Sequence, residues 1–170
     1  HEYERAYRDK PGTRAKLLAS ATWTTRVIDL RTEERDLWRG VRKSYHAIVN
    51  KLTHDHEYII ATVGHPSSDL VNARELHRQE AGRETRPIET WQLMSDWIET
   101  GGALCVMAHN GPNQDGDLTA FVPVAFAYFA IHGRWSYYFS AASIRPNTNH
   151  ALMWSAMKQL RSRGVDFLEL

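Results

Sequence analysis

A single cysteine in 170 residues leaves this chain without an internal disulfide and without a four-cysteine zinc site. Nothing points to an oxidising compartment, and a cytoplasmic location is the expectation. Long apolar runs are missing too: the longest, Phe121 to Ile131, is broken by Pro123 and falls far short of the ~20 residues a membrane helix needs. Charge of one sign is not in excess, since 21 Lys and Arg face 20 Asp and Glu for a net +1, which argues against broad nucleic-acid affinity. There is no internal repeat, no low-complexity tract, no GxSxG elbow and no GxxxxGK[ST] phosphate loop. The opening HEYERAYRDKPG starts on His1 and carries no apolar signal sequence, so a start inside a longer product is expected.

What is present suits one folded domain: 42% hydrophobic, 11% aromatic and 24% charged residues, on a chain able to bury roughly two thirds of its unfolded surface. Residues 1–20 read as an N-terminal tail and 21–170 as the domain. Ala21 to Leu30 is rich in Thr, Trp, Val and Ile and predicts a strand. Thr32 before Glu33 and Glu34 predicts a helix start, and Leu37, Val41, Tyr45, Ile48 and Leu52 mark one buried stripe along a single helix. A strand at Glu57 to Val63 follows, then a helix from about Ser68 to Ala81 ended by Gly82, and another from Pro87 to Ile98 stopped by Gly101 and Gly102.

Strands at Ala103 to Ala108 and Leu118 to Ile131 flank the turn region NGPNQDGD, and a third runs from Trp135 to Ala141. A helix from Thr148 to Arg163, closed by Gly164, leads into a last strand at Val165 to Leu170, beyond which closing elements are expected. This order predicts an α+β fold with a mostly antiparallel mixed sheet, in which the terminal strand, helix, strand unit is a parallel crossover that splays two strand ends into a crevice.

The densest polar segment is LHRQEAGRETRP, residues 76 to 87. His77 and Glu80 share a helix face, while Arg83, Thr85 and Arg86 fall at the helix end and in a short link. Two guanidiniums beside a hydroxyl and an imidazole can receive a phosphate or carboxylate; equally, Arg83 and Arg86 can pair with Glu80, Glu84 and Glu89 on the surface. A second basic set, Arg42, Lys43 and His46, either binds an anion or RNA backbone or forms a solvated helix face. His54, Asp55, His56 and His65 have metal-ligand types but no diagnostic spacing, and read as loop histidines; no metal is expected. Cys105, within ALCVMA, reads as a core residue. Trp91, Trp97 and Trp154 read as core or crevice aromatics, and Trp135, Tyr137 and Tyr138 beside Ser140 lie at the expected crevice.

DLWRGVRKSYHAIVNK, LHRQEAGRETRPIETWQLM, YYFSAAS and HALMWSAMKQLRSRGVDFLEL together resemble successive blocks of a Fem-like acyltransferase domain of the GNAT superfamily, of the BioF2-like acetyltransferase type, over about residues 20 to 170. The resemblance implies an N-acyltransferase sheet with a V-shaped opening between two of its strands, here with its C-terminal elements lacking. It also implies transfer of an acyl or aminoacyl group to the amine of an amino-sugar or peptide-like acceptor in cell-surface glycan or peptidoglycan synthesis. The donor would be acyl-CoA or a charged tRNA acting as co-substrate, with no resident cofactor. Acetyl-CoA users place a Gly-rich loop before the helix after the splayed strand; SIRPNTNHALMW has no glycine there, a loss the Fem-like subgroup shares.

On this reading His77, Glu80 and the strand around Ser140 are the catalytic candidates. Lys43, Tyr45, Arg83, Arg86, Trp91, Tyr137 and Arg145 would bind substrate, Lys43 and Tyr45 lining the same mouth as His77. Asn147, Thr148 and Asn149 would receive the anionic part of the donor. The alternative is a non-catalytic module of degenerate transferase fold that binds RNA or an anionic glycan, and an unfinished sheet edge would allow a homodimer.

Overall fold

The computed structural model describes residues 25–54, 58–62, 66–110 and 122–170. In chain order the elements are β1 (Val27–Asp29), α1 (Glu34–Gly40), α2 (Lys43–His54), β2 (Tyr58–Thr62), α3 (Pro66–Ala81), α4 (Ile88–Glu99), β3 (Ala103–Asn110), β4 (Pro123–His132), β5 (Trp135–Ser143), α5 (Thr148–Ser162) and β6 (Phe167–Glu169). The strands form one sheet in the order β1-β6-β5-β4-β3-β2. Every neighbouring pair is antiparallel except β5 and β6, which α5 joins as a parallel crossover. The fold is therefore α+β, with a mixed, mostly antiparallel sheet flanked by helices.

The central strands read as continuous apolar runs because both faces are covered. Along β3 the period of two sends Leu104, Val106 and Ala108 to one core and Ala103, Cys105 and Met107 to the other. The first core is closed by Leu152, Ala156, Met157 and Leu160 of α5, with Leu37 of α1 packed against it. The second is closed by Leu70, Ala73 and Leu76 of α3 and by Trp91 and Met94 of α4. Each fully buried Leu or Phe contributes about 1.5–3 kcal/mol through removal of apolar surface from water. The two layers thus assign α1, α2 and α5 to one side of the sheet and α3 and α4 to the other.

β4 and β5 form a hairpin whose two-residue turn, Gly133 and Arg134, places Gly133 at a φ of 58°, a backbone state that suits glycine. The same turn positions β6: the Arg134 carbonyl accepts the amides of Asp166 and Phe167, and the Arg134 guanidinium pairs with the Asp166 carboxylate at 2.6 Å. Leu168 then drops into the α5 core, fully buried.

Two expectations change. The long helix expected from Thr32 to Leu52 is two helices, because Gly40 ends α1 and Val41 takes an extended backbone (φ −67°, ψ 136°). His46 seals the break: its Nε2 hydrogen-bonds the Trp38 carbonyl at 2.9 Å, and its ring stacks on Trp38 at 4.3 Å. After the break the stripe shifts phase, so Val49 and Leu52 are buried whereas Tyr45 and Ile48 are only half-buried. Thr32 is likewise not the cap of α1; Glu33 occupies that position, with no side-chain cap bond. The first strand is observed over Val27–Asp29, and residues 21–24, like most of the NGPNQDGD segment, lie outside the described residues. Among the described residues no helix is long and apolar enough to cross a membrane.

Candidate active site

The site is built on an irregularity in β5. Tyr128 pairs with Ser140 but Phe129 pairs with Tyr138, so Phe139 is an extra residue, a β-bulge. A bulge interrupts the alternation of a strand and turns two successive side chains to the same face. Phe139 meets Tyr128 at 5.9 Å and Trp97 of α4 at 6.0 Å, while Tyr138 packs on Phe129 of the opposite core at 5.4 Å. Ser140 sits opposite Tyr128, so it joins Phe139 on the α3–α4 side. Its Oγ is buried and has no hydrogen-bond partner among the described residues. Tyr128 itself is anchored, donating from its hydroxyl to the Met94 carbonyl at 2.9 Å.

β6 accompanies β5 only from Trp135 to Tyr137. The Ile144 amide bonds the Val124 carbonyl at 3.0 Å, so by alternation Ala142 and Ser140 also direct their amides to β4. Ala141 and Ser143 present theirs on the other edge, where no strand partner occurs among the described residues.

Above the bulge, α3 and the link to α4 bring three polar groups together. His77, half-buried near the end of α3, lies with its Nδ1 2.9 Å from the Thr85 hydroxyl. Its ring meets the edge of Trp91 at 5.7 Å and tilts over Phe126 at 6.5 Å. Arg86 lies over the same Trp91 at 5.8 Å and over Phe139 at 5.2 Å, with Nη1 3.8 Å from Met94 Sδ. Burial and then the Arg86 charge hold the His77 imidazole below its ordinary pKa, against an opposing pull from Glu80. That direction favours the neutral imidazole, the form able to accept a proton. Burial also lowers the pKa of Arg86, though a guanidinium stays charged.

Arg86 has no carboxylate partner among the described residues, and the surface pairing open to Arg83 and Arg86 is not formed. Glu84 is taken by Arg74 at 2.7 Å, and Arg83 stands exposed in the link. A half-buried cation held between two rings without a counter-ion is a ready receptor for an anionic group from a ligand.

The other candidates divide. Glu80 is exposed on α3, close enough to raise the pKa of Tyr138 after burial has done so. Tyr137 is exposed on the β5 surface, two residues before the bulge. Trp91 is 4% exposed, its ring packed against His77 and Phe126 and lying under Arg86. Lys43 and Tyr45 are not at this mouth: they belong to α2 in the α5 layer, where Tyr45 stacks on His150 at 3.9 Å.

Thr148, expected to offer a donor to an anion, is 1% exposed, and its hydroxyl is engaged with Ser143 Oγ and the Arg145 carbonyl. It builds the turn after β5. Asn147 carries the strain of that turn, at a φ of 69°, while Arg145 and Asn149 are exposed beside it. Cys105 is fully buried and burial pushes its thiol pKa far up, the state of an inert core residue. His54 ends α2, and Asp55, His56 and His65 lie outside the described residues. Among the described residues no three His, Cys, Asp or Glu side chains could hold a metal ion. Sequence reasoning missed Phe139 and Met94; the run of three aromatics before Ser140 was the one available signal for the first.

No protein-family model and no curated protein matches the chain. Solved structures do. The crystal structure of FemX matches with a TM-score of 0.69 at 12% identity, over 95% of this chain and 60% of its own. The structure of L-PGS from Bacillus licheniformis matches at a TM-score of 0.57 and 13% identity, over 86% of this chain and 43% of that one. The fold is GNAT-like. A GCN5-related glucosamine N-acetyltransferase region from a fungal multi-domain GH3 β-N-acetylglucosaminidase shares it, with a TM-score of 0.53, 11% identity and 95% of this chain covered. At such identities the likeness describes architecture alone. The chain spans 60%, 43% and 20% of the lengths of these three structures.

Proposed function

We propose that the protein is an N-acyltransferase, moving an acyl or aminoacyl group from an activated ester or thioester to the amine of an amino-sugar or peptide-like acceptor. The observation that carries this reading is the placement of His77, 2.9 Å from the Thr85 hydroxyl, and of Arg86, without a carboxylate partner among the described residues, above the bulged strand β5, whose outer edge β6 leaves after Tyr137. The GNAT-like fold shared with FemX and with a glucosamine N-acetyltransferase region supports it.

Acyl transfer needs a neutral amine, a polarised carbonyl and somewhere for a proton to go. The acceptor nitrogen forms its bond to the acyl carbon, and the bond from that carbon to the donor oxygen or sulfur breaks. The proton released by nitrogen passes to His77 Nε2 and on to the leaving group. For this, Nδ1 must carry the ring proton and donate it to Thr85 Oγ1, leaving Nε2 with its lone pair. The amides of Ala141 and Ser143 would receive the developing oxyanion, and Arg86, with Arg83 at the rim, would hold a phosphate or carboxylate of donor or acceptor. Tyr137 and Glu80 would line the acceptor side.

Mass spectrometry of mixtures containing the protein, acyl-CoA or aminoacyl-tRNA, and amino-sugar or peptide amines tests this reading. An N-acylated product should appear, and His77→Ala should lower its rate by roughly 10²- to 10⁴-fold, the range for loss of a general base. Near-normal turnover in His77→Ala, or no product from any pairing, would count against it.

A further inference from the structure

On the opposite layer from His77, a cavity of about 500 Å³ opens between α1, α2 and α5. Its walls are apolar: Leu37 and Trp38 of α1 face Met153, Trp154 and Met157 of α5. Tyr45 and His150, stacked at 3.9 Å, close one side. The volume is that of a site for a small organic molecule, and the two methionines give it walls that adapt to an unbranched chain.

The mouth differs in character. Its charged lining consists of Arg26, Arg42 and Asp36. Asp36 is already neutralised, by Arg39 at 2.9 Å and Arg35 at 3.8 Å. Arg42 lies 5.8 Å over the Tyr45 ring, exposed, and neither it nor Arg26 has a carboxylate partner among the described residues. An apolar chamber thus opens past two guanidiniums that have no carboxylate partner among the described residues.

We propose that this cavity binds a single-chain anionic amphiphile, its alkyl chain against Trp38, Met153 and Met157 and its carboxylate at Arg42. The complementarity runs in both parts of the ligand. The chain gains by leaving water, and the head meets a planar donor fork that holds carboxylates well. A cationic amphiphile would meet like charge at the mouth, and a bare anion would leave the chamber unused. The site stands apart from the acyl-transfer reading, since no residue of it belongs to the His77 cluster.

Isothermal titration with decanoate and dodecanoate, below their micelle concentrations, is the test. One site per chain is expected, with dodecanoate binding roughly ten-fold tighter for its two extra methylenes. Dodecylammonium, decyl maltoside and inorganic phosphate should bind far more weakly. Arg42→Glu, at an exposed position that should leave the fold intact, should weaken dodecanoate binding at least roughly ten-fold. Met153→Trp, which fills the chamber, should abolish binding while the cooperative melt persists. The proposal fails if neither carboxylate binds, if dodecylammonium or phosphate binds as well as dodecanoate, or if Arg42→Glu binds undiminished.

Discussion

Replacing Arg86 by methionine separates the roles that the candidate site assigns to this side chain. Methionine keeps the length and the apolar contact with Trp91 and Phe139 but removes the charge. In the fold, the guanidinium gains roughly 0.5–2 kcal/mol from the two ring faces at 5.8 and 5.2 Å. Against this stands the cost of holding a half-buried cation with no carboxylate beside it, which methionine relieves. The two nearly cancel, so the variant should unfold in urea within about 1 kcal/mol of the wild type, equivalent to a Tm change of about 2–4 °C for a chain of this size.

His77 should change more visibly. Its pKa lies below the usual 6.5 through burial first and the Arg86 charge second. Removing the charge leaves burial opposed by the Glu80 carboxylate, so the imidazole pKa rises in the variant. Because the folded pKa is depressed, the unfolded chain binds more protons as pH falls below 6.5. The stability contribution is therefore complete above 6.5 and lost as pH drops through the folded value, and Arg86→Met, with the narrower gap, loses less on acidification. An NMR titration of the His77 Cε1 proton reads this directly, without any ligand. An unchanged or lower His77 pKa, or a loss of several kcal/mol of stability, would refute the electrostatic account.

Other outcomes follow from single contacts. Leu160→Ala, at a fully buried position of α5, should cost about 2–5 kcal/mol by chemical denaturation. Tyr128→Phe removes the hydroxyl that bonds the Met94 carbonyl and should cost about 1 kcal/mol, more if that carbonyl is left unsatisfied. Thr148→Val keeps shape but breaks the bonds to Ser143 and Arg145, so a loss of about 1–2 kcal/mol is expected, with faster amide exchange in the turn after β5. Cys105 should resist maleimide in the native protein and react once denaturant exposes it; rapid native labelling would contradict its burial.

The element order was legible because periodicity and breakers agree over most of the chain: Gly82, Pro87, Gly101 and Gly164 fall where helices begin or end. Where one residue outweighs the pattern, legibility stops. Gly40 lies inside an intact apolar stripe, and the break it causes depends on His46 reaching back to the Trp38 carbonyl, a contact no window shows. The bulge at Phe139 is hidden for a related reason, since in SYYFSAAS aromatic side chains suit either face and the alternation gives no phase. His77, Thr85 and Arg86 could be grouped because a helix end and a short link keep them within nine residues of sequence.

Tyr45 and Lys43 could not be placed, because spacing says which side of a helix is buried but not which side of the sheet the helix takes. The decisive contacts are Tyr45 on His150 and Trp38 on Trp154, which tie α1 and α2 to the layer of α5. A parallel crossover has a preferred hand, which restricts where α5 can lie once β5 and β6 are paired. Those ring contacts bring α1 and α2 with it, and α3 and α4 cover the other face. The basic residues of α2 therefore guard a chamber of their own, and the sheet that separates them from His77 is what turns one expected mouth into two.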